Sequence, residues 1–365
     1  MTPAPPELDG ASLVPEPRRR SVIDRLTRRN LFWPVAILAL LLLYNLVTNP
    51  HFFSLTIRDG HLYGAVIDIV NRGAPLMIIA LGLTLVIATH GIDISVGSVV
   101  AISGAVAAAL IGGTLVLHGG TGMQDVTDVP LPLAIAGAVG VALAFGMWNG
   151  TLVSVFGLQP IIATLILLIA GRGVAQLITD GQIVTIYYSP YYFIGNGFLL
   201  GLPFSLYIVA AMALVIGLAA RRTALGLFIE AIGINPVAAR LSGVRARTIT
   251  FVVYAVCGLC AGVAGLIVSS NVKSADGNNA GLLIELDAIL AVVLGGTSLA
   301  GGKFTLAGSV LGALVIQTLT TTIYAAGVPP ETVLLVKSIV VFVVCILQSD
   351  RVRALVAGDP EGPAR

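Results

Sequence analysis

Ten apolar segments alternate with short polar stretches, at about 33–48, 73–89, 95–116, 131–155, 160–178, 204–220, 248–270, 285–296, 305–325 and 331–348. A spanning helix needs about 20 apolar residues in a row, whereas membrane strands alternate over ~10. The runs here are continuous, so they predict helices and exclude a β-barrel. The expectation is an all-α, polytopic helical bundle of about ten transmembrane helices, with no separate soluble domain. The 285–296 run is short for a span and is expected to be broken or partly re-entrant. The first run ends in Tyr44-Asn-Leu-Val-Thr-Asn-Pro50 without a small-residue cleavage pattern, so it reads as a retained helix.

Composition supports that pattern. Of 365 residues, 57% are hydrophobic and 10% charged, and the mean hydropathy is +0.99; a soluble domain carries roughly a quarter charged residues. The 42 glycines suit helices that approach closely in lipid. A net charge of +2 points to no nucleic acid, and the basic residues report topology instead. Ten spans starting inside place residues 1–32, 221–247 and 349–365 in the cytoplasm, where fourteen of the twenty lysines and arginines lie. The outside loops at 117–130 and 179–203 hold none, and the second carries Tyr187, Tyr188, Tyr191, Tyr192 and Phe193, residues fit for a membrane–water interface. The expected organisation is a disordered, Pro- and Arg-rich cytoplasmic tail (1–32), a transmembrane domain (33–348) with a cytoplasmic loop at 221–247, and a cytoplasmic C-terminal tail (349–365).

Three stretches carry candidate chemistry. His90-Gly-Ile-Asp-Ile-Ser-Val-Gly-Ser98 places Asp93 between two apolar runs. Either the glycines permit a backbone break lining a polar path, or Asp93 caps the helix beginning near Ser95 in a short cytoplasmic turn. Glu230 to Gly243 contains Asn235 as an N-cap, Pro236 at the first helical position and Gly243 past the C-terminus. Such a two-turn helix is marginal alone, so it rests on its own bundle or docks a cytoplasmic partner. The third runs from Asn278 through Glu285 and Asp287 to Gly295-Gly-Thr-Ser-Leu-Ala-Gly-Gly302. Glu285 and Asp287 are two apart, which turns them to different faces of a helix. Gly296 to Gly302 loosely echoes Gly91 to Gly97, either as an internal repeat or by chance.

Polar residues inside the apolar runs are path candidates: Asn149, Gln159, Thr164, Arg172, Gln176, Asp287 and Gln317, beside Asp93, Ser95, Glu285, Thr297 and Ser298 of the motifs. Arg172 either faces water or snorkels or pairs structurally. Gly302-Lys303 is no phosphate loop, because Thr297 stands where the first glycine belongs and Phe304 follows the lysine. Cys257, Cys260 and Cys345 read as packing residues, and His51, His61, His90 and His118 are too scattered for a metal site. No cofactor and no nucleophile–base motif is expected.

In these three stretches the chain resembles the permease subunits of bacterial ABC importers for ribose, xylose, arabinose and galactose. The family's G-I-D-L-S-V-G-S is met at Gly91 to Ser98 with Ile94 for Leu. Its E-A-x-G-x-N-x-x-A-A-x-x-S-G is met at Glu230, Ala231, Gly233, Asn235, Ala238, Ala239, Ser242 and Gly243, and its E-L-D-A-I…V-V-L-G-G-T-S-L-x-G-G from Glu285 to Gly302. The resemblance covers about residues 60–348. Gln159 to Leu165, Ala170 to Thr185 and Asp276 to Gly281 are similar to the galactofuranose-handling members.

The resemblance implies the ABC importer permease fold in a bacterial inner membrane, both termini cytoplasmic. It implies a non-enzymatic subunit that dimerises with itself or a sister permease, docks a periplasmic sugar-binding protein outside and an ABC ATPase inside, and passes a monosaccharide. Coupling to the ATPase would fall on Glu230, Ala231, Gly233, Asn235, Ala238, Ala239, Arg240, Ser242 and Gly243. The rival reading is an ion-coupled secondary transporter, which would use Asp93 and Arg172 but leaves the capped helix unexplained.

Overall fold

The computed structural model describes residues 31–49, 52–58, 60–112, 114–117, 123–126 and 129–348. Residues 1–30 of the expected N-terminal tail, the expected C-terminal tail, His51 and His118 lie outside the described residues, and so does the side chain of Cys345. The helices are α1 (Phe32–Thr48), α2 (Ala65–Ala88), α3 (Val96–Ile111), α4 (Leu131–Ser154), α5 (Pro160–Ile178), α6 (Ser189–Asn196), α7 (Phe204–Arg222), α8 (Leu225–Ile234), α9 (Pro236–Leu241), α10 (Ala246–Val272), α11 (Ile284–Leu294), α12 (Leu306–Ala325) and α13 (Pro330–Gln348). Six of them, α2, α4, α5, α7, α10 and α12, are long and apolar enough to cross a membrane. Shorter apolar helices lie at Phe32–Thr48, Val96–Ile111, Leu225–Ile234 and Thr332–Phe342.

Apolarity all round a helix marks it for the interior, and α2 behaves so: every residue from Gly73 to Ala88 is buried. Around it pack α10, α12 and α11. At 27 residues, α10 is about 40 Å long and carries the bundle from end to end, touching α4, α2 and α3. Ala142 and Gly146 of α4 meet Gly258 and Gly262 of α10 at near-backbone distance, the close approach that small residues permit. At one end of α10, Ala246 clusters with Ile232 and Ala239; at the other, it runs into strand Ser274–Asp276.

The structure departs from the sequence-based reading in three places. Among the described residues, four two-stranded antiparallel ladders accompany the helices: Thr56–Arg58 with His61–Tyr63, Thr114–Leu117 with Met123–Val126, Ile183–Thr185 with Ser274–Asp276, and Phe198–Leu199 with Leu202–Pro203. Linker backbone that leaves a helix still needs hydrogen-bond partners. Helix α3 ends at Ile111 rather than 116, because Gly112 turns into a positive φ of 62° and the apolar residues after it form a strand. Helix α2 begins eight residues before its apolar run, through Asp68, Asn71 and Arg72; the Asn71 side chain accepts a hydrogen bond from Ser205 Oγ at 2.5 Å.

Candidate functional site

The 89–95 segment is neither helical nor a solvated turn. Helix α2 stops at Ala88, His90 adopts a left-handed φ of 67°, and helix resumes at Val96. Between them Asp93 is only 2% exposed. Its Oδ1 accepts from the Ser95 amide at 3.0 Å, Ser95 Oγ at 2.6 Å and Asn149 Nδ2 at 3.4 Å. Asn149 Nδ2 also donates to Ser95 Oγ at 2.8 Å, and the Cys257 thiol lies against the carboxylate. The freed backbone is held as well: the Tyr254 hydroxyl donates to Ile92 O, and Thr164 Oγ1 accepts from the Ile94 amide. Unpaired backbone groups are costly inside a bundle, and here side chains of α5 and α10 satisfy them.

A second non-helical segment enters from the opposite end. After strand Ser274–Asp276 the chain turns through 277–283, where Leu283 takes a φ of 62°, before α11 starts. Asp276 organises the turn, accepting from the amides of Asn278 and Asn279 at 2.8 and 3.1 Å and from Asn279 Nδ2 at 2.8 Å. Burial pushes the Asp276 carboxyl up, but these hydrogen bonds and the Arg172 charge outweigh it and hold it below the usual carboxylate range. Arg172 Nη1 donates to Ala280 O at 2.6 Å, and Gln176 Nε2 to Asn278 Oδ1 at 2.6 Å. A guanidinium facing hydrocarbon costs about 2.5–3.5 kcal/mol, and the carbonyls of the turn and nearby Glu285 and Asp276 give it partners instead.

The two segments meet. A Cβ placed on Gly97 would lie 2.2 Å from Glu285 Oε2 and 2.5 Å from Gly281 O, and one on Gly281 would lie 2.6 Å from Gly97 O. Only glycine permits that approach. Asp93 sits by Cys257 and Val100 by Gly265, so the junction stands near the middle of α10. Helix α5 pins both segments, through Thr164 on one and Arg172 on the other. Glu285 is 6% exposed, and its Oε2 makes no hydrogen bond.

At the α8–α9 end the sequence motifs also converge. Asn235 Oδ1 accepts from the amides of Val237 and Ala238, both at 3.0 Å, capping α9 as its side chain predicts, and Gly243 follows at φ 86°. Ala239 is the buried residue of α9, while Val237 and Leu241 are 64% and 86% exposed. Gly233 lies under the 295–302 turn: its Cβ would fall 1.9 Å from Ala88 O and 2.3 Å from the Gly302 amide. The Gly302 amide donates to Ala88 O at 2.9 Å, and His90 Nδ1 bonds Ala300 O at 2.8 Å. Glu230 lines a cleft of about 270 Å³ with Arg221, Thr223 and Phe304.

Of the twelve path candidates, the structure gathers Asp93, Ser95, Asn149 and Thr164 at the first segment and Arg172, Gln176 and Glu285 at the second. It leaves five elsewhere. Gln159 is an exposed residue before α5, and Gln317 packs on Gly73 of α2. Thr297 and Ser298 stabilise the 295–305 turn, through the Thr305 and Ala300 amides. Asp287 is paired with Lys337 of α13 at 2.5 Å. Sequence reasoning missed Lys337, although a lone lysine within an apolar run asks for an anionic partner. It also missed Tyr254, which no spacing rule singles out, and helix α8, and it gave Asp276 only as part of a resemblance, without a role.

A family model described as branched-chain amino acid transport system / permease component matches residues 65–345. The galactofuranose transporter permease protein of Escherichia coli (strain K12) is 47% identical over 93% of this chain and 97% of its own length. A fructose import permease protein of Bifidobacterium longum (strain NCC 2705) is 40% identical over 92% of each chain. A ribose import permease protein of E. coli (strain K12) is 35% identical over 87% of this chain and 93% of its own. No solved structure matches.

Proposed function

The chain belongs to the family of transport-system permease components, and from that premise we propose that it passes a monosaccharide inward across the inner membrane, galactofuranose or a related sugar. It does so as one subunit of an ABC importer. Ten crossings put both termini, the 221–247 segment and the 295–302 turn on the cytoplasmic side. A second copy or a sister permease completes the path, a periplasmic binding protein delivers the sugar, and a separate ATPase supplies the energy.

The observation that carries this reading is the contact of Gly233 with Ala88 and Gly302. The capped helix α9, with its exposed Val237 and Leu241, is the docking element for the ATPase. Glu230, Ala231, Gly233, Asn235, Ala238, Ala239, Arg240, Ser242 and Gly243 form the coupling region. Force applied to α9 reaches Gly233, and from there, without an intervening flexible side chain, the end of α2. Five and seven residues later come Asp93 and Ser95 of the Asp93–Ser95–Asn149 cluster. A ligand-driven switch needs an element whose contacts differ between two states, and a backbone-to-backbone junction transmits a displacement with little slack.

The test is reconstitution in liposomes with and without the ATPase and binding protein. Uphill uptake of radiolabelled D-galactose, D-fructose or D-ribose is expected only with both partners and ATP. Accumulation by the lone chain under an ion gradient would favour the secondary-transporter reading, to which Asp93 and Arg172 lend themselves.

A further inference from the structure

We infer that Arg172, Gln176, Asp276, Asn278 and Glu285 form a hydroxyl-recognising sugar site on the permease itself, in the half of the bundle away from α8 and α9. The inference rests on the proposed role in sugar passage and adds a place where the permease reads its cargo. Arg172 and Gln176 are one helical turn apart on α5 and face the 276–281 turn, to which both are bonded. The two elements sit close along their length, since a Cβ on Gly277 would meet the Ala175 backbone at 2.9 Å. Among the described residues, Arg172 Nε and Nη2, Gln176 Oε1 and Asn278 Nδ2 make no hydrogen bond to the protein. They are donors and an acceptor left over after the turn has been built.

Glu285 is the independent observation. The residue is 6% exposed, its Oε2 is buried with no hydrogen-bond partner, and Arg172 is near enough to act on it electrostatically. A buried polar atom is ordinarily hydrogen-bonded, and this oxygen, packed against Gly97 beside the second segment, goes without a donor. One guanidinium faces two carboxylates, which disfavours an anion. The mixture of planar amides, guanidinium and carboxylate instead fits a neutral polyol, whose hydroxyls donate and accept at once. Discrimination by hydrogen bonding is stronger than discrimination by apolar fit, because the wrong sugar leaves polar groups unpaired.

The experiment uses the complete importer in proteoliposomes, with its ATPase and binding protein, and measures uptake of radiolabelled D-galactose, D-fructose and D-ribose. Gln176→Ala and Asn278→Ala alter partly exposed side chains. Each is expected to change the ratio of uptake among the three sugars by threefold or more. A smaller change in ratio, whatever the overall rate, overturns the site. Should an alanine variant import too little to measure, Asn278→Cys decides. A membrane-impermeant methanethiosulfonate added outside must modify it, and the sugar imported best by the unaltered protein must slow that modification at least threefold. Absent modification, or weaker protection, overturns the site. If the unaltered importer carries none of the three sugars, the underlying reading fails, and the inference with it; if it carries them and the variants keep its selectivity, only the site fails.

Discussion

Gly233→Ala adds a single methyl group, and its consequence can be worked from the contacts it would make. The new carbon would lie 1.9 Å from Ala88 O, where real contacts do not fall below 3.0 Å, so the end of α2 or helix α8 must retreat by about 1.1 Å. That movement strains or breaks the hydrogen bond from the Gly302 amide to the same carbonyl. Overpacking costs about 1–3 kcal/mol and an orphaned buried backbone group about 1–3 kcal/mol, against a helix-propensity gain of about 1 kcal/mol. The net, roughly 1–5 kcal/mol, falls on the junction between coupling region and path. Even 2 kcal/mol applied to one of two conformations shifts their ratio about 30-fold. The hydrophobicity that drives insertion is unchanged. Expected, therefore, is a normal amount of protein in the membrane with ATP-driven sugar uptake reduced tenfold or more, measured in proteoliposomes and normalised by immunoblot. Gly217→Ala on α7, where the added carbon meets open space, is the matched control and should import within about twofold of the unaltered chain. Gly233→Ala protein that imports at the unaltered rate would refute the backbone-coupling account.

Three further outcomes follow from other contacts. Asp93→Leu removes the acceptor of the Ser95 amide and hydroxyl, each unpaired buried group costing about 1–3 kcal/mol, and should lower both the melting temperature in detergent and uptake. Asp93→Asn keeps an acceptor at Oδ1 and should retain more of the melting temperature than the leucine variant. Asn235→Ala removes the cap of α9 at about 0.5–2 kcal/mol and should weaken co-purification of the ATPase, with Asn235→Asp restoring it. Removing one partner of Asp287–Lys337 should destabilise the protein, toward the low end of the roughly 3–5 kcal/mol typical of fully buried pairs because Asp287 is partly exposed. Asp287→Asn combined with Lys337→Met should lose less than the two singles added together, read from thermal unfolding.

Helical class, the positions of the apolar segments and the Asn235 cap were legible without coordinates, because each depends on near neighbours in the chain. An apolar run reports its own burial, and Asn followed by Pro needs only the next three amides to act as a cap. The short 285–296 run likewise announced a helix too brief to span alone, and Leu283 with the 277–283 turn explains the shortfall.

What the sequence left open was decided by contacts between distant segments. Asp93 could have capped a solvated turn; it is buried because Asn149, Cys257 and Tyr254, from two other helices, close over it. Glu285 and Gly97 are 188 positions apart and individually ordinary, yet the carboxylate occupies the volume that a side chain at Gly97 would need. The sequence by itself determined which stretches avoid water and where the capped helix α9 begins, since hydrophobicity and capping are properties of a few adjacent residues. Tertiary structure alone decided which polar groups share a junction and which, like Asp287 with Lys337, are spent on each other. Partnership between side chains depends on packing, and packing brings together residues that no local pattern links.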